Sequence, residues 1–125
     1  KLYKSIGVDS FISDKYYISK WKAKDFKKLI NIFLSTKKKN EVLDIKIDNI
    51  NLGDLIYDTY IRYYYTPTIS LRNFNFFSIL CHTIGLNRNL KKIINIYDIK
   101  LYVAQYSNYV NSGLPCRLLT KNNIR

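Results

Sequence analysis

Residues 42–65 read VLDIKIDNINLGDLIYDTYIRYYY, and this stretch predicts both a β-structure and a helix. Its first half alternates apolar and polar side chains around Asp48-Asn49, which is typical of a short β-hairpin or a bent strand. Gly53 then permits a sharp entry into a helix that we place from Asp54 to about residue 65. Asp54 suits the positive N-terminal end of that helix, and Thr66-Pro67 ends it. The stretch therefore predicts a strand-to-helix corner.

The clearest helix lies upstream, in residues 24–37. Its apolar side chains recur at i, i+3, i+4, i+7 and i+8 and form a single stripe: Phe26, Leu29, Ile30, Phe33 and Leu34. Three further helices are predicted downstream, over residues 74–84, 90–97 and 113–121. Gly85 and Asn87 separate the first two, and Pro115 falls in the first turn of the last.

Two short apolar runs outside these helices predict buried strands. They are residues 8–12 (VDSFI) and residues 101–106 (LYVAQY). Strands that alternate with helices favour an α/β fold with a Rossmann-like, mostly parallel sheet flanked by helices. The length of 125 residues suits one such domain, so residues 1–125 are predicted to form a single unit.

The chain is strongly basic, with 21 Lys and Arg against 9 Asp and Glu and a formal net charge of +12. Such an excess raises nucleic acid or an anionic membrane surface as a partner. However, nearly all of it is lysine, and the arginines that would read phosphates or bases bidentately are scattered along the chain. A lysine-rich solvated surface accounts for the charge without a nucleic-acid partner.

The cysteines and the histidine exclude several classes of site. Cys81 and Cys116 are far apart and make neither a disulfide framework nor a metal-binding spacing. His82 is the only histidine, so no metal site is expected, and its apolar neighbours predict a packed core position. The Walker phosphate loop, the G-x-G-x-x-G fingerprint and the G-x-S-x-G elbow are all absent.

The helix after Gly53 carries a polar stripe that is a candidate site. Asp54, Asp58 and Arg62 follow one another at i, i+4 and i+8, so they share one face of the helix. Asp58 and Arg62 are spaced for a helical ion pair of about 0.2–0.5 kcal/mol. The stripe is either a solvated salt-bridged face or an acidic pair at the carboxyl end of a strand, where α/β sheets bind ligands.

A second candidate corner follows residues 101–106, where Tyr109, Asn111 and Arg117 become available. Tyrosines offer stacking faces and hydroxyl groups, which suit carbohydrate and nucleobase alike. We expect this corner and the Asp54–Arg62 stripe to lie side by side around one hollow, because the carboxyl ends of parallel strands share one edge of a sheet.

Two segments of the chain carry a resemblance. Residues 49–62 (NINLGDLIYDTYIR) resemble the I-x-I/L-G-D-L-I-Y-D-T-Y-L-R stretch of bacterial surface and capsular polysaccharide biosynthesis proteins. Residues 109–117 (YVNSGLPCR) are similar to their Y-x-x-x-G-I-P-x-R stretch. Order and spacing also match, as do the intervening residues 66–69 (TPTI), so the likeness spans most of the chain.

The resemblance implies the N-terminal, Rossmann-like half of a two-domain glycosyltransferase of the GT-B architecture. This half would face a saccharide or lipid-linked saccharide acceptor and would hold no cofactor. The nucleotide-sugar donor would bind a C-terminal domain beyond this fragment, which we expect to be inactive alone. The location implied is the cytoplasm, with peripheral contact to the anionic inner membrane.

The resemblance also implies roles for individual residues. Asp54 or Asp58 would act as the catalytic base that deprotonates an acceptor hydroxyl. The predicted substrate-binding residues are Gly53, Tyr57, Arg62, Tyr109, Asn111, Gly113 and Arg117. The chain departs from the family at Tyr106, where the family often has histidine, so a histidine base is missing from this corner.

Two alternatives to a glycosyltransferase domain remain open from the residues themselves. The first is a basic, tyrosine-rich nucleic-acid-binding module, which predicts a basic face lined by exposed aromatic side chains. The second is a non-catalytic interaction domain in which the Asp–Arg stripe is purely structural.

Overall fold

The computed structural model describes residues 21–123, and most of them lie in helices. The elements, in chain order, are α1 (Ala23–Ser35), a 3₁₀ helix (Asn40–Asp44), β1 (Lys46–Ile47), β2 (Ile50–Asn51), α2 (Gly53–Tyr64), α3 (Phe74–Ile96) and α4 (Val110–Lys121). The two strands pair antiparallel, with Ile47 opposite Ile50. They form the only sheet within residues 21–123.

The predicted Rossmann-like, mostly parallel sheet is therefore wrong, and with it the assignment to half of a GT-B architecture. Residues 101–106 form no strand, and the side chains of Leu101 and Val103 are 68% and 82% exposed. A strand needs a hydrogen-bonded neighbour, which alternation of apolar residues cannot supply by itself. The other predicted strand, residues 8–12, lies outside the described residues.

The hairpin and the helix entry predicted from residues 42–65 are confirmed. Asp48 and Asn49 both have positive φ, 53° and 62°, as a two-residue type I′ turn requires. The helix α2 begins at Gly53, which is buried against the 3₁₀ helix. A Cβ at Gly53 would overlap the carbonyl oxygens of Val42 and Leu43, so only glycine fits here.

Helix α2 occupies the centre of the fold. Its Leu55, Ile56 and Tyr60 are almost fully buried, and it packs against the 3₁₀ helix, α3 and α4. Asn73 joins α2 to α3, because its side-chain oxygen caps α3 at the Phe76 N–H (2.9 Å) while its amide nitrogen donates to the Tyr60 hydroxyl (3.0 Å).

Helix α3 is one continuous helix, so the predicted break between residues 84 and 90 is wrong. Gly85 and Asn87 lie inside it and are buried. A glycine in a helix interior costs about 1 kcal/mol, whereas burial of Ile84 and Leu86 contributes about 1.5–3 kcal/mol each. The gain from burial outweighs the local preference of the glycine.

Helix α1 is confirmed to within two residues, and it packs against α3. Leu29 is buried, and the Phe33 ring lies 5.5 Å from the Phe77 ring, edge to face. Arg72 donates to the carbonyl oxygens of Phe33 (3.0 Å) and Leu34 (2.9 Å) and so caps the C-terminal end of α1.

The last helix, α4, begins at Val110, three residues before the predicted start. Pro115 consequently lies beyond the first turn, inside the helix. None of the helices within residues 21–123 combines the length and the apolar character that crossing a membrane requires.

Candidate functional site

The two candidate segments lie side by side, as predicted, but they meet as packed helices and not at strand ends. The Val110 N–H at the start of α4 donates to Thr59 Oγ1 of α2 (2.9 Å). Deeper in the contact, a Cβ at Gly113 would lie 2.7 Å from Leu55 Cδ2, which leaves no room for a side chain. Close helix packing therefore replaces the sheet edge that the sequence suggested.

Asp54 is held by Arg117. Arg117 Nη1 donates to Asp54 Oδ1 (2.7 Å), Nη2 donates to Oδ2, and Nη1 also donates to the carbonyl oxygen of Asn51 (2.5 Å). The hydrogen bonds from Arg117 hold the pKa of Asp54 below its usual range. Because both carboxylate oxygens accept from one guanidinium, the ion pair joins α4 to the N-terminal end of α2. Asp54 could act as a catalytic base only if this ion pair were broken first.

Asp58 lies one turn further along α2 and is exposed. The predicted Asp58–Arg62 ion pair does not form; the ion pairs in the described part of the chain join other residues. Incomplete hydration of its carboxyl group, with the nearby charge of Asp54, raises the pKa of Asp58. Asp58 therefore has the higher proton affinity of the two predicted catalytic carboxylates.

Replacement of these two aspartates by asparagine is expected to have different effects on stability. Asp54→Asn removes a bidentate ion pair, and because both side chains are substantially exposed we expect a loss of about 1 kcal/mol at pH 7. Asp58→Asn removes a carboxylate whose ionised form is disfavoured by folding, so stability should be unchanged or slightly higher. Urea unfolding followed by circular dichroism compares the two, and equal losses would contradict the assignment.

Three other predicted site residues belong to the packing of the helices. Gly53 and Gly113 are buried, and each is in close contact with a neighbouring backbone or side chain. Tyr57 is half-buried, with its hydroxyl 3.5 Å from Thr68 Oγ1. The structure gives these residues a role in holding α2 and α4 in place.

The remaining predicted residues, Arg62, Tyr109 and Asn111, line one hollow of about 520 Å³. We call it the tyrosine hollow, and its lining is Thr59, Arg62, Tyr63, Tyr64, Ser78, Ile79, His82, Tyr106, Tyr109, Asn111 and Ser112. It lies between the C-terminal half of α2, the N-terminal half of α3 and the start of α4. Arg62 forms no ion pair with any residue of the described chain, so its N–H groups are available.

His82 is the residue of this hollow that sequence reasoning missed. It is exposed, which corrects the prediction of a packed core position, and its Nε2 lies 2.5 Å from Asn111 Oδ1. Ser78 lies four residues earlier on α3 and lines the same hollow. Two polar residues at i and i+4 within an apolar run indicate a solvated helix face, and that signal was present in the sequence.

The hollow brings phenol rings, an amide, an imidazole and a guanidinium together. Such a mixture of aromatic faces with a few polar groups is typical of sites for small polar ligands. The described residues contain no group of three or more His, Cys, Asp or Glu side chains that could hold a metal ion. None of the protein-family models, curated proteins or solved structures with which we compared the chain matches it.

Proposed function

We propose that this chain is a saccharide-binding module and that the tyrosine hollow holds the sugar rings of a saccharide. The observation that carries the proposal is the convergence of four tyrosines with Arg62, Asn111 and His82 in one hollow. A volume of about 520 Å³ is within the usual range for small-molecule sites.

The chemistry of the lining supports a sugar as the ligand. The C–H faces of a pyranose ring pack on aromatic side chains, and Tyr63 and Tyr106 are largely exposed, 73% and 57%. Tyr63 also lies against Tyr64, with the ring centroids 5.9 Å apart, so two aromatic rings lie together in one wall. Arg62 and Asn111 supply N–H donors for the hydroxyl groups of the sugar.

The His82–Asn111 contact supports a fixed polar edge in this wall. With a proton on Nε2, His82 donates to Asn111 Oδ1 and orients the Asn111 amide, whose nitrogen remains a donor. A side chain already held in one orientation loses less conformational entropy when it binds a ligand.

The family resemblance implied both saccharide binding and sugar transfer, and we propose only the binding. The resemblance implied transfer through a GT-B half, and that fold is not the one observed. Asp54 is engaged by Arg117, and Asp58 does not line the tyrosine hollow. Binding of a saccharide, free or lipid-linked, requires none of these features.

The alternative of a nucleic-acid-binding module requires cations and stacking rings on one face. In the structure these features are separated. Among the described residues, five lysines line one groove that no aromatic side chain lines, whereas the tyrosine hollow is lined by a single cationic residue, Arg62. The separation favours a neutral polar ligand for the hollow.

Tyr106→Ala is expected to weaken saccharide binding about tenfold, because loss of one stacking ring removes roughly 1–1.5 kcal/mol. Tyr106 is exposed and lies outside regular structure, so the fold should be unaffected. Saturation-transfer NMR with a panel of neutral trisaccharides, chitotriose and maltotriose among them, selects a ligand, and titration gives its affinity.

Tyr97→Ala provides the matched control, since Tyr97 is a half-exposed tyrosine outside the hollow. The affinity of the Tyr97→Ala variant for the selected saccharide should equal that of the unsubstituted chain. Arg62→Ala should weaken binding as Tyr106→Ala does. Equal binding by all variants, or no transfer from any saccharide in the panel, would refute the proposal.

A further inference from the structure

A second concave site lies away from the tyrosine hollow, between the N-terminal half of α1, the Asp48-Asn49 turn and the second half of α3. We call it the basic groove; its lining is Lys22, Lys24, Asp25, Lys28, Asp48, Asn49, Ile84, Asn87, Arg88, Lys91, Lys92 and Asn95. Its volume is about 520 Å³. Within residues 21–123 the two sites share no lining residue, so the inference drawn from the groove does not rest on the proposed saccharide function.

The groove carries a concentrated positive charge. Six cationic side chains and two carboxylates line it, which leaves an excess of four positive charges. Lys22, Lys24 and Lys92 form no ion pair with any residue of the described chain. Cations that share a concave, partly desolvated surface raise the local concentration of anions.

The two carboxylates hold the other three cationic side chains of the groove in position. Asp48 accepts from Lys28 and from Lys91 (2.5 Å), which joins α1 to α3 across the hairpin turn. Asp25 accepts from Arg88 (2.9 Å) in a largely buried pair. Lys28 and Lys91 are thereby held at the edges of the groove in fixed positions, and preorganised cations bind an anion with a smaller entropic cost.

A buried amide in the wall points to a ligand that also has a hydroxyl group. Asn87 is 2% exposed, and its nitrogen donates to Asp48 Oδ2 (2.8 Å). Its side-chain oxygen has no hydrogen-bond partner among the described residues. Leaving such an acceptor unpaired costs about 1–3 kcal/mol, which a hydroxyl group that reached it from the groove would recover.

We infer that the basic groove binds a phosphate group that carries a P–OH or a neighbouring hydroxyl, as in hydrogen phosphate, protonated pyrophosphate or a phosphomonoester headgroup. The lysines supply charge to the phosphate oxygens, and the Asn87 oxygen accepts from the hydroxyl. The concave shape suits a compact anion. A single-stranded nucleic acid would use stacking side chains as well, and none of the described residues that line the groove is aromatic.

The test compares two double variants of the full chain. Lys24→Ala/Lys92→Ala removes two cations of the groove that have no ion-pair partner. Lys37→Ala/Lys39→Ala removes the same charge beyond the C-terminal end of α1. For a helix of 13 residues this end lies about 20 Å from the N-terminal end, where Lys24 is located. Calorimetry with inorganic pyrophosphate should show about tenfold weaker binding for the first pair and no change for the second.

A second arm identifies the source of the phosphate. Vesicles of phosphatidylcholine are prepared with phosphatidic acid, whose headgroup is a phosphomonoester, or with phosphatidylmethanol, whose anionic phosphodiester headgroup has neither a P–OH nor a hydroxyl group. Binding to the former alone, displaced by pyrophosphate, assigns the groove to a lipid headgroup. If pyrophosphate binds and neither kind of vesicle binds, the groove is assigned to a soluble phosphate.

Three results would overturn the inference. If both lysine pairs weaken binding equally, the attraction belongs to the overall charge of +12 and not to the groove. If a single-stranded oligonucleotide binds and pyrophosphate does not displace it, the groove is part of a nucleic-acid surface. If the chain binds neither pyrophosphate nor phosphatidic acid, the proposal is also contradicted.

Discussion

Gly53→Ala should lower the free energy of unfolding by about 3 kcal/mol or more, enough to unfold a marginally stable domain. The added methyl group would overlap the carbonyl oxygens of Val42 and Leu43. These are backbone atoms of the 3₁₀ helix, so the clash cannot be relieved by a change of rotamer. Either α2 or the 3₁₀ helix must move, and both are part of the core.

The expected destabilisation is opposite in sign to the usual effect of this substitution in a helix. In an ordinary helix interior, replacement of glycine by alanine stabilises by about 1 kcal/mol, because alanine has the higher helix propensity. Asn31→Ala at an exposed position of α1 is the control, and it should be neutral or slightly stabilising. Urea unfolding followed by circular dichroism measures both. A Gly53→Ala protein as stable as the unsubstituted chain would show that α2 does not pack this closely.

Asp48→Asn should cost about 2 kcal/mol at pH 7, the second largest effect that we expect. Asp48 accepts hydrogen bonds from Lys28, Lys91 and Asn87 and is 28% exposed. Hydrogen bonds to charged groups contribute about 1.5–3 kcal/mol, and partial exposure reduces that value here. Asparagine tolerates the left-handed φ of 53° and suits a type I′ turn, so the substitution removes charge with little effect on the backbone.

The same carboxylate predicts a loss of stability in acid. Burial raises the pKa of Asp48, but the hydrogen bonds and charges of Lys28 and Lys91 outweigh it and hold that pKa well below its usual value. The unfolded chain therefore binds the proton first. The stabilisation is fully present above the unfolded pKa of about 3.9 and is lost as the pH falls towards the folded pKa.

Unfolding free energies at neutral and acid pH measure this dependence. The difference between the unsubstituted chain and Asp48→Asn should shrink as the pH falls below about 4. Asp44→Asn is the control, because Asp44 is exposed and has no ion pair with the described residues. A difference that stays constant with pH would mean that the ion pairs of Asp48 contribute nothing.

The features that the sequence predicted correctly depend on neighbours in the chain. The Asp48-Asn49 turn follows from two residues that tolerate positive φ between short apolar runs. The entry to α2 at Gly53 and the stripe of α1 follow from local spacing. The adjacency of α2 and α4 was also predicted, although the supposed cause, a shared sheet edge, was wrong.

The Rossmann-like sheet failed because pairing between strands is not a local property. The alternation in residues 101–106 would suit a strand, but in the described residues no other strand lies beside it. Gly85 failed as a helix breaker for a related reason. Burial of its neighbours Ile84 and Leu86 outweighs the preference of one residue.

What the sequence alone determined is the set of local conformations: a turn, the starts of two helices and the apolar face of each. The tertiary structure alone decided which side chains meet. Arg117 crosses to Asp54, His82 comes to Asn111, and Lys91 reaches Asp48, over separations of 63, 29 and 43 residues. Such contacts depend on the packing of whole helices against one core, which propensity and spacing do not encode.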